Sequence, residues 1–445
     1  MINRFSITLQ NPAFARNSLP GLLTMPVKLA NDAEAKRLFE HPQISANTGA
    51  VSEVPWSLEV GGLVWRVGKL KLLSGNEKEL SVQFVSEAGA VKKLLEGTSL
   101  RDLDLGEPAF SDACVSGDLV YVAPEYGNPK AYGDDKENNP DYAGTVNKYE
   151  NGAYLRTSAT CQTPWVRLQP VLEQIAGLIG YRLTGSFVDD PLFPKLAIYS
   201  NVSLDGEADF EPAKLLPDVK LSKFLIELKK LFGIHYHFDT TAGTLELMGW
   251  KEILRADFED WSDKVVKRSK FGAYDYAGVR FHQVFDSSDD MYGRAVSDFR
   301  TLEVDGGAEP YDTRFSTLAE VDGRITVSQE VYSVPKEQEN RTDSLRLAVY
   351  GGLANGKPTA STEALRWRGT AGLANTRFAE WLEFRRQSRT EVFEMSLTVA
   401  DLFNWRPDKR VMINHNIYVL EKIRSKIEPG LTKFPATVTA RKANV

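Results

Sequence analysis

The chain of 445 residues is longer than one hydrophobic core usually organises, so its length predicts about three domains. Hydrophobic residues make up 42% of it and charged residues 26%, which is typical of a soluble globular protein. The formal net charge of −6 argues against a protein that coats nucleic acid, because such proteins carry a basic face or basic tails. No uncharged apolar run is long enough to span a bilayer, and residues 1–10 predict a strand and not a signal peptide. Cys114 and Cys161 lie in no metal or redox spacing, so we expect isolated thiols in a reducing cytoplasm.

The first hundred residues predict a strand-rich unit that ends in a helix. Residues 56–67 alternate in hydrophobicity around a Gly-Gly pair, which is typical of a two-residue hairpin turn. Residues 75–85 turn the chain into a third strand. Ser86 then predicts the N-cap of a helix that Gly97 ends. The buried face of that helix would carry Val91, Leu94 and Leu95.

Residues 126–151 are rich in Gly, Asn, Asp, Pro and Tyr, which predicts a loop-rich excursion. Exposed loops on a rigid scaffold often carry binding residues. The tyrosines of this stretch, chiefly Tyr126, Tyr132 and Tyr142, are therefore candidates for a partner surface. Packing of the loop onto its own domain is the alternative use of the same side chains, and the pattern favours it.

Two helix-then-strand units in the middle of the chain predict an α+β domain. In the first unit, Pro170 stands near the start of a helix with apolar residues at helical spacing, and Gly180 ends it. In the second unit, Ser222 predicts the N-cap of a helix that Gly233 ends. Alternating strands follow over residues 234–248.

After about residue 257 the sequence is rich in strands and dense in turns. Asn375 opens a last predicted helix that bears Phe378 and Trp381, and a meander of strands follows it over residues 392–440. A helix beside a meander is therefore predicted near both ends of the chain, although the two sequences do not repeat.

Residues 351–357, Gly-Gly-Leu-Ala-Asn-Gly-Lys, have the spacing of a phosphate-binding P-loop and follow a predicted strand. A P-loop needs Ser or Thr at the next position to reach Mg²⁺, and a helix whose amides face the phosphates. Here Pro358 comes next, and no helical period follows it. The pattern therefore favours a glycine-rich loop over a nucleotide site.

Four polar residues remain as candidates for catalysis or metal binding. His235 and His237 share one face of a predicted strand, but no third ligand lies at ligand spacing. The favoured interpretation is two polar residues on the outer face of a half-buried strand. Asp189 and Asp190 are adjacent and predict a turn. With no Gly-x-Ser-x-Gly elbow and no supported Cys–His pair, the sequence predicts no catalytic, cofactor or metal residue and a protein that is not an enzyme.

An aromatic and basic cluster lies on or just past the last predicted helix. Trp381 and Phe384 would face the core, while Arg385, Arg386 and Arg389 would form ion pairs or a subunit contact. Arg385 and Arg386 therefore join the three tyrosines as the predicted interaction surface.

The most distinctive pattern lies near the C-terminus, in residues 364–369 (ALRWRG) and 372–384 (GLANTRFAEWLEF). It extends discontinuously to shorter segments, which are 397–402 (LTVADL), 411–414 (VMIN), 418–420 (YVL), 181–187 (YRLTGSF), 216–219 (LPDV) and 100–106 (LRDLDLG). Together these segments resemble a family of tail hub or tail tip proteins of phages and prophages, particularly those of Bacteroidota hosts. None of them is a catalytic signature.

The resemblance implies a structural hub that joins the tail tube to the tip and lines the channel for DNA ejection. Such hubs are generally homotrimers in which each subunit carries two tube-like β domains, so that three subunits present a pseudo-sixfold ring to the hexameric tube. The expected fold is α+β and β-rich, with two tail-tube-like β-barrel or sandwich domains, each with a flanking helix, and a central α+β domain. The expected segments are a tube-like domain over 1–108, a loop-rich excursion over 109–160, the α+β domain over 161–256, a strand-rich connection over 257–363 and a second tube-like domain over 364–445.

The resemblance also implies the partners and the location. The partners would be further copies of the chain, the tail tube or distal tail protein, the tape-measure protein, and other tip proteins or fibres. DNA would pass through without sequence-specific binding, and no cofactor is expected. The location would be the virion tail tip, after assembly in the host bacterial cytoplasm. A mildly acidic protein would suit a channel past which a polyanion slides.

The alternative function is a tail tip cell-wall hydrolase or a host-receptor-binding module. The tyrosine-rich stretch over residues 126–151 is its best support. Turnover in a glycan release assay, abolished by one carboxylate substitution, would favour the enzyme.

Overall fold

The computed structural model describes residues 5–19, 24–40, 52–60, 63–106, 120–130, 144–155, 162–204, 210–239, 242–284, 286–291, 300–333, 344–428 and 431–443. Their helices are α1 Ala33–Leu38, α2 Glu87–Gly97, α3 Leu168–Leu178, α4 Leu221–Phe232, α5 Trp250–Arg255, α6 Leu373–Thr376, α7 Ala379–Gln387 and α8 Val399–Phe403. Short 3₁₀ helices cover Pro12–Phe14, Leu100–Asp102, Phe193–Lys195, Pro212–Leu215, Ser262–Lys264 and Glu363–Leu365.

The strands of the described residues are β1 Phe5–Gln10, β2 Thr24–Ala30, β3 Glu53–Val60, β4 Leu63–Gly75, β5 Glu79–Ser86, β6 Tyr121–Val122, β7 Tyr126–Gly127, β8 Thr145–Val146, β9 Tyr149–Glu150, β10 Ala153–Tyr154, β11 Trp165–Arg167, β12 Arg182–Thr184, β13 Leu196–Ile198, β14 Val202–Ser203, β15 Ile234–Asp239, β16 Thr244–Gly249, β17 Phe258–Asp260, β18 Val265–Phe271, β19 Val279–Gln283, β20 Thr301–Val304, β21 Glu309–Thr313, β22 Phe315–Thr317, β23 Glu320–Val321, β24 Arg324–Ile325, β25 Tyr332–Ser333, β26 Leu345–Ala354, β27 Lys357–Ser361, β28 Thr390–Thr398, β29 Arg410–Ile413, β30 Asn416–Ile427 and β31 Lys433–Lys442.

The fold is α+β and β-rich, as the sequence predicts. The chain divides into two compact units. The first unit comprises Met1–Leu94, His235–Tyr276 and Glu380–Val445, and the second comprises Leu95–Ile234 and Ala277–Ala379. These boundaries differ from the five consecutive segments predicted above, because strand pairing brings distant parts of the sequence into one unit.

A seven-stranded sheet in the first unit joins the two ends of the chain. Its order is β17-β29-β30-β31-β28-β18, and β1 pairs antiparallel with the second half of β30, from Phe5 against Ile427 to Gln10 against Lys422. The long strands alternate buried and intermediate residues, which is typical of a sheet that covers a core with one face. The N-terminal strand therefore completes a C-terminal sheet.

Asn11 fixes the point where β1 leaves this sheet. Its Nδ2 donates to the carbonyl oxygens of Pro407, at 2.8 Å, and Leu420, at 2.9 Å. Its Oδ1 accepts from the backbone N–H of Ala13, at 2.9 Å, and so caps the first 3₁₀ helix. The side chain is fully buried, so these three hydrogen bonds replace its contacts with water.

A four-stranded antiparallel sheet, β2-β5-β4-β3, is the other sheet of the first unit. The predicted hairpin joins β3 to β4 with Val60 opposite Leu63, and the predicted third strand is β5. The sequence pattern missed β2 at the edge. Both sheets bury residues in one core, which includes Ile7, Leu29, Leu70, Val82, Phe84, Phe393, Leu397, Ile423 and Val438.

The second unit is built around a sheet in the order β22-β26-β13-β11-β6, with β27 paired to β26. Helix α4 presents the predicted apolar stripe to its core, and Gly233 ends the helix in the left-handed conformation with φ 62°. The ring of Phe378 lies against Gly233, where an added Cβ would come within 3.0 Å of it. Glycine is therefore required at this position by both the backbone angle and the close contact.

Three local predictions are wrong. Helix α4 begins at Leu221 with Lys220 at the N-cap and no side-chain cap, so Ser222 does not cap it. Leu94 on α2 is 38% exposed and does not belong to a buried face. The last predicted helix is two helices, α6 and α7, because Phe378 between them turns into an aromatic cluster with Phe281, 5.1 Å away between ring centroids.

Candidate functional site

The edge segment, which we define as residues 265–276, is an exposed apolar feature of the first unit. It comprises β18 and the residues that follow to Tyr276. Within the described residues, β18 is the last strand of the seven-stranded sheet and pairs only with β28. Val266, Phe271 and Tyr274 are 68%, 58% and 63% exposed. Large apolar side chains that stay this exposed beside a sheet edge are typical of a surface that contacts another chain.

Two β-bulges interrupt the pairing of β18 with β28. They lie between Val265 and Lys267 and between Arg268 and Lys270. Bulges and lysines on an edge strand discourage unlimited pairing with other strands. We therefore expect the edge segment to contact a partner mainly through its side chains.

Arginine side chains cover the exposed aromatic rings of the edge segment. The guanidinium of Arg389 lies 5.2 Å from the ring centroid of Phe271 and 5.7 Å from that of Tyr274. Arg268 lies 5.0 Å from the centroid of Phe271 on its own strand. Each such cation–π contact contributes roughly 0.5–1 kcal/mol at an exposed site. Together they hold the two rings in fixed positions at the surface.

Glu391 of β28 anchors these arginines from below the surface. Its buried carboxylate accepts from Arg389 Nε at 2.9 Å, from Arg268 Nη1 at 3.4 Å and from the hydroxyl of Tyr418 at 3.2 Å. The hydrogen bond to Glu391 raises the pKa of Arg389. Burial, followed by the negative charge of Glu391, raises the pKa of Tyr418 to about 12. Glu391 thus connects the core of the sheet to the ring-covering arginines.

Two of the predicted surface residues lie on α7, in the same unit. The guanidinium of Arg385 lies 6.0 Å from the ring centroid of Tyr276, at the end of the edge segment, and 5.6 Å from that of Trp381. Arg386 forms an ion pair with Glu383 at 3.2 Å. Trp381 is buried, as predicted. Arg385 therefore extends the pairing of arginines with aromatic rings beyond Arg389.

Tyr126 does not lie on a surface, and this part of the prediction is wrong. Its side chain is fully buried, and its hydroxyl shares a 2.7 Å hydrogen bond with Thr163 Oγ1. Its ring packs 5.3 Å from Trp165 and 6.3 Å from Tyr199, between centroids, in the core of the second unit. Tyr126 starts strand β7 and packs onto its own unit, which was the alternative use of the loop. Tyr132 and Tyr142 lie outside the described residues.

The predicted outer face for the histidines of β15 is wrong for His235, whereas His237 is half-buried. His235 is buried, and its ring meets Trp250 edge-on with the centroids 4.7 Å apart. Tyr236 on the opposite face is also buried, so both faces of the strand are covered. Burial, followed by the positive charge of Arg406, lowers the pKa of His237. Among the described residues, no group of three His, Cys, Asp or Glu side chains is placed to hold a metal ion.

The P-loop-like segment 351–357 is part of a β-hairpin. Strand β26 runs into it, β27 follows, and Asn355 and Gly356 form the turn with φ 52° and 77°. These angles are typical of the type I′ turn that Asn-Gly favours. Since a strand occupies the place where a P-loop needs a helix, the segment has the geometry of a hairpin and not of a phosphate site.

A buried ion cluster in the second unit was missed by the sequence analysis. Arg346 of β26 is fully buried, and its guanidinium donates to Asp289 at 2.7 Å and also to Asp286. The guanidinium also lies 5.4 Å from the ring centroid of Tyr199. Although burial opposes ionisation, Arg346 and Ser288 lower the pKa of Asp286. The available signal was a single arginine inside the apolar strand Leu345–Ala354.

The described residues thus define a β-rich α+β protein with an arginine-and-aromatic surface on one sheet edge. No family model matches the chain, and no curated protein sequence matches it. Within the described part of the chain, no helix is both long and apolar enough to cross a membrane.

Three solved structures are similar to this chain. One is the 43 kDa tail protein of prophage MuSo2 from Shewanella oneidensis, with 9% identity, 99% of this chain and 93% of that chain covered, and a TM-score of 0.41. Another is a tail protein from Neisseria meningitidis, with 10% identity, coverage of 100% and 92%, and a TM-score of 0.37. A third, an E. coli component of the type VI secretion system described as similar to T4 tail proteins, has 8% identity, coverage of 99% and 73%, and a TM-score of 0.32. At these identities and TM-scores the likenesses carry no argument about function.

Proposed function

We propose that the chain is a structural hub of a phage tail tip, a homotrimeric ring that joins the tail tube to the tip and lines the channel for DNA ejection. The architecture of the first unit carries the proposal. Two sheets, drawn from both ends of the chain and antiparallel except where β17 pairs with β29, share one core. Three such units in a ring would place six sheets around a channel, which matches a hexameric tube.

The segments that resemble tail hub proteins support the same assignment. Residues 397–402 close β28 and form most of α8, residues 411–414 cover most of β29, and residues 418–420 lie in β30. These elements form the middle of the seven-stranded sheet, which β1 then completes. These segments of the resemblance therefore lie in one of the two sheets that the ring would use, while residues 100–106, 181–187, 216–219 and 364–369 lie in the second unit.

The exposed edge segment supports an assembled state. Val266, Phe271 and Tyr274 are strongly exposed at the sheet edge. Their exposure favours contact with another chain over a monomeric state. Subunits that use two different surfaces for one contact close into a ring when the rotation between copies permits it.

The partners that follow are the tail tube or distal tail protein, the tape-measure protein, and other tip proteins or fibres. The location is the virion tail tip, after assembly in the host cytoplasm. DNA would pass without specific binding, so we expect Asp and Glu to outnumber Lys and Arg on the channel face. A basic channel would contradict this, because phosphate contacts would retain DNA.

Nothing in the described residues favours the alternative function of a hydrolase or a receptor-binding module. Its best support was the tyrosine-rich stretch, and Tyr126 in that stretch is buried in the core of the second unit. We therefore propose a structural protein without catalytic, cofactor or metal residues.

Size exclusion with light scattering, followed by negative-stain imaging with the tube protein, tests the proposal. We expect a trimer of the 49.7 kDa chain and rings at the end of the tube. A protein that stays monomeric at high concentration and forms no ring with its tube partner would refute the hub function.

A further inference from the structure

Among the described residues, the two sheets of the first unit have three outer edge strands, which are β3, β17 and β18. β1 pairs with β30 and contacts β2, so the sheets meet at β1 and β2. β2 is one end of the four-stranded sheet, and β3 is its other end. β18 is the end of the seven-stranded sheet that lies beyond β31 and β28 from β30. The two long outer edges are therefore β3, with eight residues, and β18, with seven, whereas β17 at the opposite end has three.

These two outer edges carry opposite charge. Strand β18 contains Lys267, Arg268 and Lys270 and no acidic residue, and all three side chains are exposed. Lys267 also lies 3.2 Å from Glu394 of β28, and both members of that pair stay about half exposed. Strand β3 contains the exposed Glu53, which lies 3.7 Å from Lys71 of β4, and no basic residue. Opposite charges on two different surfaces of one chain favour a head-to-tail contact between copies over a contact between identical surfaces.

An open cavity next to β3 offers room for an apolar group. Its volume is about 570 Å³, and Trp56 of β3 forms one wall together with Leu29 and Leu38. Asp32 and Glu34 add acidic groups to the lining, and Arg37 also contributes to it. An apolar wall with acidic groups matches the edge segment, in which exposed aromatic rings stand among basic side chains.

We infer that the edge segment of one copy binds over β3 of the next copy. Phe271 and Tyr274 pack against the wall formed by Trp56, while Lys267 and Lys270 face Glu34 and Glu53. The contact is heterologous, so each copy uses its edge segment on one side and its β3 surface on the other. This inference rests on the ring proposed above and names the surfaces that close it.

A charge-reversal experiment tests the contact. Lys267→Glu with Lys270→Glu in one chain should weaken the trimer on the order of tenfold in mass photometry, because like charges then face each other. Glu34→Lys with Glu53→Lys should weaken it similarly. A chain that carries all four substitutions should recover the trimer. Lys214→Glu with Lys223→Glu, at exposed positions in the second unit, makes the same change in charge and should leave the trimer intact.

A mixture of the two reversed chains separates a head-to-tail ring from other arrangements. Each contact in the mixture is favourable only between unlike chains, and three copies cannot alternate around a ring. A mixed trimer therefore has two favourable contacts and one unfavourable contact. At the same total concentration, the mixture should form more trimer than either reversed chain alone, which has three unfavourable contacts. Raising the salt concentration should weaken the native trimer, because exposed charges are screened.

Different experimental results would refute the proposed contact and the proposed hub function. If the native chain forms no oligomer, the hub function is wrong and so is the contact. If the native chain forms a trimer that survives the Lys267 and Lys270 reversals in a variant with native circular dichroism, only the contact is wrong. Asp257→Lys with Asp260→Lys, at the opposite end of the seven-stranded sheet, can be added to the chain with the Lys267 and Lys270 reversals. Recovery of the trimer in that chain would also overturn the contact with β3.

Discussion

Replacement of Arg346 by methionine perturbs the buried ion cluster without opening a large cavity. Methionine keeps much of the length of the arginine stem but removes the guanidinium. In the native unit this group donates to Asp289 at 2.7 Å and to Asp286, and all three side chains are buried. The substitution leaves two carboxylates facing each other without a cation.

The expected loss of stability follows from the burial of these charges. Removing one partner of a buried ion pair costs about 3–5 kcal/mol, because the remaining charge is left without compensation. For a unit of this size, 1 kcal/mol lowers the melting temperature by roughly 2–4 °C. We therefore expect Arg346→Met to lower the melting temperature of the second unit by about 6–20 °C.

Differential scanning calorimetry of the native chain and the variant measures this shift. Asp290→Asn is a matched control, because Asp290 is adjacent to Asp289 but its side chain is 54% exposed. Its effect should stay within about 0.5 kcal/mol.

A triple variant isolates the buried charge as the cause. Adding Asp286→Asn and Asp289→Asn to Arg346→Met removes the two uncompensated charges and should recover at least about 1 kcal/mol. A shift of less than about 2 °C in the single variant would refute the reasoning. A triple variant less stable than the single variant would refute the assignment of the loss to charge.

Three further predictions concern other parts of the fold. The pKa of His237 is lowered in the native state, so the unfolded state binds the proton more readily. Stability should therefore fall as the pH drops below about 6.5. Melting curves from pH 7.5 to 5 should show this fall, and His237→Gln should reduce it. Asn11→Ala should cost about 1–3 kcal/mol in urea unfolding, because it leaves two buried carbonyl groups without donors, whereas Gln10→Ala at the exposed neighbour should cost less than about 0.5 kcal/mol. Gly356→Ala should cost about 1–2 kcal/mol, because φ is 77° in the Asn-Gly turn, and an unchanged melting temperature would contradict the hairpin geometry.

Local patterns predicted many individual elements of this fold. The apolar stripe of α4 and the glycine after it define the helix, because spacing and a left-handed end are local properties. The Gly-Gly pair before Leu63 likewise predicts a hairpin that the structure contains. Each of these elements needs only a few neighbouring residues to be recognised.

The sequence pattern could not predict the pairing of strands that are distant in the sequence. β1 pairs with β30 more than four hundred positions later in the sequence, and no local signal identifies that partner. Register between distant strands depends on which faces are buried together in the folded unit. For the same reason the first unit is built from three separate parts of the sequence and the second from two. A division of the sequence into consecutive segments could not predict these units.

The candidate surface was predicted only in part. Arg385 contacts the end of the edge segment, but the segment itself was read as ordinary strand. Its signal is the run of basic residues between Val266 and Phe271, which acquires meaning only when β18 is known to end the sheet. Tyr126 was named as a candidate surface residue because its neighbours have loop composition. Trp165 and Tyr199, from distant positions in the sequence, bury it.

Electron cryo-microscopy of the purified assembly bound to its tube protein tests the hub function most directly. The account predicts three copies around one channel, with the four-stranded and seven-stranded sheets of each first unit alternating around it. A monomer on the side of the tube, an even number of copies, or a channel lined by the second unit would contradict it.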